Sequence, residues 1–218
     1  MKVQIKTLIA LLIFTSSLFG ENKPVSVFDF STKELKALGK YQTLENRILN
    51  YENLKKEIKE LNFIGKIAQV NSFFNTFEKA EDIENYGVKD YWAIPKEFFQ
   101  KGGDCEDFVI AKYFSFIEEI KIEKEKLFFL IAKRGSSFHM VLLYADSLEN
   151  SPLVFDSDTN NIVKLLDRTD LTPVVAFNEE RSLAVKNGKI GWENIVINWG
   201  EKNHFKELLI KIKGEEEK

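Results

Sequence analysis

The 218-residue chain has very little cysteine, histidine or arginine. One cysteine and two histidines are too few for a disulfide framework or for a zinc cluster built from Cys and His ligands. Only four of the 31 basic residues are arginine, the side chain best suited to base edges and phosphates, and the net charge is −3. The composition therefore argues against a nucleic-acid-binding protein.

Proline and glycine are also scarce, and the chain has no Pro/Gly/Ser-rich linker, no internal repeat and no low-complexity run apart from a charged tail at residues 214–218. Hydrophobic residues make up 44% of the sequence and charged residues 30%, as in globular proteins. Nineteen phenylalanines predict a rigid core rich in aromatic rings. We therefore predict one domain over residues 21–218.

The first twenty residues have the pattern of a secretory signal peptide. Lys2 and Lys6 precede a short apolar run at residues 8–14, and small residues lie nearby, with Gly20 as the expected cleavage site. The run is shorter than the ~20 residues that span a bilayer; an uncleaved anchor or a buried helix is the alternative. We predict that residues 1–20 are a signal peptide. Its removal takes away two lysines and changes the net charge from −3 to −5, which is poorly suited to an anionic membrane surface. We therefore expect that the mature chain does not insert into a membrane.

Hydrophobic periodicity predicts helices in the first half of the chain and strands in the second. Helices are predicted at four places: 31–39, 44–61, 64–77 and from Cys105 to about Ile120. Residues 78–101 are predicted to be loop. Strand-like runs follow at 127–132, 139–145, 153–155 and 162–166, while 204–213 fits either helix or strand. This order is typical of an α+β fold with an antiparallel sheet.

The single cysteine lies where a flexible turn enters a helix. Gly102 and Gly103 permit a close approach of backbone or substrate, and Asp104 is a candidate helix cap with Asp107 in capping-box position. Cys105 is thereby placed in the first helical turn, where unpaired N–H groups and the helix dipole favour a thiolate. A reactive cysteine is the preferred interpretation, and a buried, inert one is the alternative.

A histidine and an aspartate are candidates to complete a nucleophilic site. His139 begins an apolar strand and Asp156 ends the next one, so that pairing of these strands in a hairpin would bring imidazole and carboxylate together. Asp158 competes with Asp156, and His204 is the other histidine. The alternatives are a polar edge histidine and a turn aspartate. Together the three features indicate a cysteine–histidine–aspartate hydrolase.

Several segments resemble the bacterial transglutaminase-like cysteine proteinases, a family of periplasmic adhesin-releasing proteases. The resemblance covers roughly residues 65–180 and rests on six segments in order: 70–75, 90–97, the Gly-Asp-Cys-Glu-Asp-Phe stretch at 103–108, 139–142, 153–156 and 168–171. It implies a papain-like fold of transglutaminase topology, with Cys105 as nucleophile, His139 as general base and Asp156 as the residue that orients it. Ser157 departs from the asparagine that the family often has there.

Two acids flank the cysteine and should raise its pKa. Helix-dipole stabilisation of ~0.3–1 kcal/mol is too small to offset both, but a bound cation would neutralise them, and oxygen ligands favour calcium or magnesium. The alternative is that both acids face water. The family resemblance implies calcium bound through the acids beside the cysteine, so Asp104 and Glu106 are predicted as Ca²⁺ ligands. Asp82 and Asp107 are further candidates.

The resemblance also implies a biological role. It implies a periplasmic endopeptidase that cleaves the N-terminal region of a large surface adhesin, often between adjacent alanines, and so detaches cells from biofilm. An inner-membrane receptor for cyclic di-GMP is implied as the partner that holds the protease inactive. An acyl transferase with the same triad, a non-catalytic calcium-dependent interaction module and a cell-wall amidase are the alternatives. Trp92 is predicted to pack under the Pro95 turn; the alternative is that it walls the cleft.

Overall fold

A computed structural model describes residues 26–31, 42–200 and 202–216. The predicted signal peptide and most of the predicted helix at 31–39 lie outside these residues. The α-helices are α1 (Gln42–Glu57), α2 (Phe63–Phe74), α3 (Asp82–Tyr86), α4 (Pro95–Lys101), α5 (Cys105–Ser115) and α6 (His204–Glu216). The strands are β1 (Leu127–Arg134), β2 (Ser137–Tyr144), β3 (Leu153–Asp156), β4 (Thr159–Lys164), β5 (Thr172–Phe177), β6 (Ser182–Lys186) and β7 (Lys189–Asn194).

The strands form one sheet in the order β4-β3-β2-β1-β5-β6-β7. Every neighbouring pair is antiparallel, and most of the helices precede the sheet in the chain. The predicted α+β class with an antiparallel sheet is therefore confirmed. Within the described residues, no helix combines the length and the apolar character that crossing a bilayer requires.

The main hydrophobic core lies between the helices and one face of the sheet. Alternation along β1 directs Phe129 to this core and Leu130 to a smaller apolar cluster on the other face. Helix α5 lies deep in the main core, with Phe108, Val109 and Tyr113 all buried. It continues beyond Ser115 as a π-helical turn from Phe116 to Ile120. This packing fixes the direction of the helix whose first residue is the cysteine.

Residues 78–101 are not a continuous loop, and that prediction was wrong. They contain the two short helices α3 and α4. Helix α4 begins at Pro95, where the missing N–H costs nothing because a first-turn N–H has no partner within the helix. Glu97 accepts a hydrogen bond from the N–H of Ile94 at 3.0 Å and closes the same turn. The C-terminal segment left open by the sequence is a helix, α6.

Candidate active site

The turn before α5 brings Cys105 to the first position of that helix. Gly102 has φ +73° and ψ −156°, a conformation that is essentially restricted to glycine. A Cβ at this position would overlap the carbonyl oxygen of Glu78, and one at Gly103 would overlap the Asp107 carboxylate. Both glycines therefore permit close approach of the protein's own groups.

Cys105 lies between a main-chain donor and a carboxylate. The N–H of Met140, the residue after His139, points at Sγ from 3.4 Å, and the thiol donates to Oε2 of Glu106 at 3.1 Å. Burial, followed by the charge and hydrogen bond of Glu106, raises the pKa of the Cys105 thiol. Glu106, one of the two acids next to the cysteine, therefore opposes formation of the thiolate, as the sequence predicts.

The structure brings His139 and Asp156 together. The register of β2 with β3 pairs Leu142 with Phe155, which places the end of β3 beside the start of β2. His139 Nε2 lies 2.8 Å from Asp156 Oδ1, and the two side chains are 6% and 1% exposed. Because Nε2 is engaged with the carboxylate, Nδ1 is the ring nitrogen that remains for proton transfer.

Asp156 is held as a carboxylate by its surroundings. Its Oδ1 also accepts from the N–H of Asp158 at 3.0 Å, and its Oδ2 lies 2.8 Å from Arg168 Nη2. Burial alone would raise the pKa of Asp156, but the hydrogen bond and charge of His139, together with Arg168, hold it well below its usual range. An ionised Asp156 can fix the orientation of the imidazole and stabilise its protonated form.

The competing residues have other partners. Asp158 forms ion pairs with Lys79 and Arg134, and His204 lies 3.5 Å from a carboxylate oxygen of Asp90 while its ring stacks on Trp92. Both side chains line the same cleft as Cys105. Asp156 nevertheless is the carboxylate that the structure places on His139.

The cleft beside Cys105 has a volume of about 1030 Å³ and is open to solvent. One wall is apolar and includes Phe138, which is 67% exposed, and Val174. Trp92 lines the cleft but is buried, with its ring packed against Phe177 and Phe205. The two interpretations of Trp92, packing and cleft wall, therefore both describe part of its environment.

An acidic cluster lies immediately behind the cysteine. Asp82, Asp104 and Glu106 each offer one carboxylate oxygen, and these oxygens lie within 4.8 Å of one another. Burial and the charge of Glu106 raise the pKa of Asp104 to about 9, and burial also raises the pKa values of Glu106, Asp82 and Asp107. Oδ1 of Asp82, Oδ1 of Asp104 and Oδ2 of Asp107 are buried without a hydrogen-bond partner.

This donor set fits a hard divalent cation. Carboxylates that are buried close together, with some of their oxygen atoms lacking a protein donor, are stabilised by a bound cation such as calcium. Asp104 occupies the predicted N-cap position, but its side chain makes no capping hydrogen bond and instead joins the acidic cluster. Asp107 accepts from the N–H of Ala93 at 2.8 Å and so ties the segment before α4 to this region.

Three residues around Asp156 were missed at the level of sequence. Arg168 contacts its carboxylate, and Asn75 and Lys112 both donate to its main-chain oxygen. Lys112 is a lysine in an otherwise largely apolar stretch of helix, and this pattern could have indicated a buried lysine with a specific partner. Arg168 and Asn75 belong to segments that resemble the family, but nothing in their spacing linked them to Asp156.

A cysteine at a helix N terminus beside a histidine–aspartate pair is the arrangement shared by cysteine hydrolases of several folds. The model of the family described as "bacterial transglutaminase-like cysteine proteinase BTLCP" matches residues 22–180, and the chain belongs to this family. No curated protein sequence matches the chain.

Solved structures of Legionella pneumophila LapG are similar to the chain over 86% of its length. The calcium-bound LapG structure has 28% sequence identity and a TM-score of 0.65, and the match covers 99% of LapG. The EGTA-treated LapG structure has 29% identity and a TM-score of 0.66, with 98% of LapG covered. These matches and the family model confirm the predicted transglutaminase-like fold.

Proposed function

We propose that the chain is a calcium-dependent cysteine endopeptidase with Cys105 as nucleophile, His139 as general base and Asp156 as the residue that orients the base. One observation carries this proposal: His139, joined at 2.8 Å to the buried Asp156, lines the same open cleft as the only cysteine in the chain. Membership of a cysteine proteinase family supports it independently.

The reaction follows from these roles. His139 accepts the proton of Cys105, and the thiolate attacks the carbonyl carbon of a peptide bond. Main-chain N–H groups at the start of α5 stabilise the oxyanion that forms. The tetrahedral intermediate expels the amine, which takes the proton from His139, and leaves an acyl group on Cys105. Water, deprotonated by His139, then attacks this thioester, and the acid product leaves as Cys105 regains its proton.

Asp104 and Glu106, with Asp82 beside them, are the residues proposed to hold calcium. Their close carboxylate oxygens and the unpaired buried oxygen atoms support this assignment, as does the calcium-bound form of LapG. Calcium supplies positive charge that offsets the acids flanking the cysteine. With those acids engaged, Cys105 can transfer its proton to His139 at a lower cost.

The proposed substrate is the N-terminal region of a large surface adhesin, and the proposed location is the periplasm. The family resemblance supports both, together with the predicted signal peptide at residues 1–20. Cleavage would release the adhesin and detach cells from biofilm. An inner-membrane receptor for cyclic di-GMP is the proposed inhibitor. A peptide substrate suits the open cleft, whose apolar wall contains Phe138 and Val174.

The test is cleavage of the N-terminal region of a surface adhesin from the same bacterium. The wild-type chain should cut this region in the presence of calcium and should lose the activity in EGTA, and Cys105→Ala should be inactive in both. A fluorescent amine added to the reaction distinguishes the acyl transferase, which would attach it to the substrate. Cutting by Cys105→Ala, or amine incorporation in place of hydrolysis, would overturn the endopeptidase proposal.

The cellular experiment separates the enzyme from a non-catalytic interaction module. Replacement of the chromosomal copy by Cys105→Ala should leave the adhesin uncut and the cells attached under conditions in which the wild type detaches. A binding module would keep the wild-type phenotype with this substitution, because the side chain is small and the acidic cluster is intact.

A further inference from the structure

Lys112 is a fully buried lysine near the candidate active site. It lies on α5 two turns after Cys105, and its side chain has no exposed surface. Burying an ammonium group costs free energy unless close charges and hydrogen bonds compensate. Here burial lowers the pKa of Lys112 to about 7, although the charge of Asp156 raises it in part. Lys112 therefore occupies its site at a cost to stability.

The contacts of Lys112 lead to the strand that carries Asp156. Its Nζ donates to Oδ1 of Asn75 at 2.7 Å and to the main-chain oxygen of Asp156 at 3.1 Å. Asn75 Nδ2 donates to the same main-chain oxygen at 3.0 Å and to the main-chain oxygen of Thr159 at 3.0 Å. The two side chains therefore hold both ends of the turn between β3 and β4.

This arrangement joins the two parts of the candidate triad. Asn75 follows α2, Lys112 is on the helix of Cys105, and Asp156 ends β3. The side chain of Asp156 projects from the same residue whose carbonyl is held, so that a shift of this carbonyl moves the carboxylate relative to His139. Catalytic hydrogen bonds are sensitive to displacements of about 1 Å.

We propose that Lys112, acting through Asn75 and the main-chain oxygen of Asp156, is a positioning residue that keeps the Asp156 carboxylate on His139 and fixes this pair relative to Cys105. The part of the proposal that concerns catalysis rests on the proposed function. The part that concerns the His139–Asp156 hydrogen bond stands without it.

The test compares Lys112→Met, which keeps the length of the side chain but removes its donors, with Asn75→Ser. Tyr113→Phe is the matched control, because Tyr113 is buried next to Lys112 on α5 and its hydroxyl donates to Glu179, away from the site. Two quantities are measured. The first is kcat and KM, determined separately on the proposed substrate, and the second is the low-field NMR signal of the histidine N–H bonded to a carboxylate. The chain has only two histidines, so His204→Gln and Asp156→Ala assign that signal to His139.

The expected result is a kcat lower by about 10- to 100-fold in Lys112→Met and Asn75→Ser, with KM within about twofold of the wild type. In both variants the low-field signal of His139 should shift or disappear, whereas Tyr113→Phe should keep the signal and kcat. Wild-type kcat and an unchanged signal in the two variants would overturn the proposal. If Lys112→Met fails to fold, Asn75→Ser alone provides the test, because the Asn75 side chain is only half-buried and its replacement disturbs the core less.

The same experiment distinguishes failure of the proposed function from failure of the positioning role proposed for Lys112. A wild-type chain without protease activity would contradict the proposed function, while the NMR signal would still report whether Lys112 positions Asp156. A signal lost in Lys112→Met but kept in Tyr113→Phe would then support the positioning role. An unchanged signal in Lys112→Met and Asn75→Ser would refute it.

Discussion

At the residue scale, Asp156 at the end of β3 and Asp158 in the turn after it differ in their partners. Asp156 is almost fully buried, contacts His139 and Arg168, and has a pKa held well below its usual range. Asp158 is partly exposed and pairs with Lys79 and Arg134 on the surface. Exposed ion pairs of this kind contribute little to stability. The two carboxylates are therefore expected to have very different effects on activity.

Asp156→Asn should lower kcat/KM by about 10³- to 10⁴-fold, because an amide neither stabilises the protonated imidazole nor selects the correct tautomer. The matched control is Asp158→Asn, for which we expect a loss of less than about tenfold, since its carboxylate pairs with Lys79 and Arg134 and is not the one bonded to His139. Steady-state kinetics on the proposed adhesin substrate measure both. Equal losses in the two variants would contradict the assignment of Asp156.

The acidic cluster gives a second prediction at this scale. Asp104→Ala should weaken calcium binding by at least about 100-fold, because loss of a direct ligand costs more than the 10- to 100-fold typical of residues behind the ligands. Asp90→Ala is the control, since the Asp90 carboxylate is largely exposed and pairs with His204 outside the cluster. Titration calorimetry with calcium should give wild-type heat for Asp90→Ala. The calcium assignment fails if Asp104→Ala binds as tightly as the control.

At the element scale, the turn before α5 depends on glycine. Gly102→Ala should lower the free energy of unfolding by about 1–3 kcal/mol more than Gly135→Ala, because its Cβ would overlap the carbonyl oxygen of Glu78. Both glycines have positive φ, but a Cβ at Gly135 meets nothing within 4 Å. Denaturant unfolding of the two variants measures the difference. Similar stabilities would mean that the turn does not need the close approach seen here.

The buried lysine of α5 makes stability depend on pH in a defined direction. The pKa of Lys112 is about 7 in the folded chain against an ordinary value of 10.5. Between these values the unfolded chain binds the proton that the folded chain has released, so stability rises with pH, by at most about 1.4 kcal/mol per pH unit. The gain is complete above the unfolded pKa and is lost as the pH falls to about 7.

Lys112→Met should remove this rise. Denaturant unfolding of wild type and variant at several values between about pH 7 and about pH 10 gives the two slopes, and Tyr113→Phe controls for a buried polar group on the same helix. A wild-type chain whose stability relative to Lys112→Met does not change over this range would show that Lys112 titrates normally.

The elements also show where sequence reasoning succeeded. Helices α1, α2 and α5 and strands β1 to β4 follow from strong periodicity and lie close to their predicted positions. Helices α3 and α4 are too short to show a period, although Pro95 at the start of α4 was a usable signal. The pairing of β5 with β1 joins segments about forty residues apart, which no local pattern reveals.

The same limit applies to the candidate site. Cys105, His139 and Asp156 could be proposed from local context and from the family resemblance, because each lies at or near the end of an element. Asp82 lies more than twenty residues before the cysteine, and only the folded chain places its carboxylate beside Asp104. Contacts between distant segments therefore supply what the sequence alone leaves open.

At the scale of the whole molecule, one helix and one sheet meet at the cleft. Helix α5 presents Cys105, strands β2 and β3 present His139 and Asp156, and the acidic cluster lies behind the cysteine. Without a cation, burial and Glu106 raise the pKa of the thiol. The proposed function requires that calcium on the acidic cluster allow Cys105 to act as a thiolate paired with His139.

The rate of alkylation of Cys105 measures this effect of calcium without interference, because the chain contains no other cysteine. The rate is measured from about pH 4 to about pH 9 in calcium and in EGTA, with Asp104→Ala as the metal-site control. The expected result is fast labelling below pH 7 in calcium, much slower labelling in EGTA, and no effect of calcium on Asp104→Ala. Slow labelling under both conditions, rising only near the free-thiol pKa of about 8.5, would contradict it.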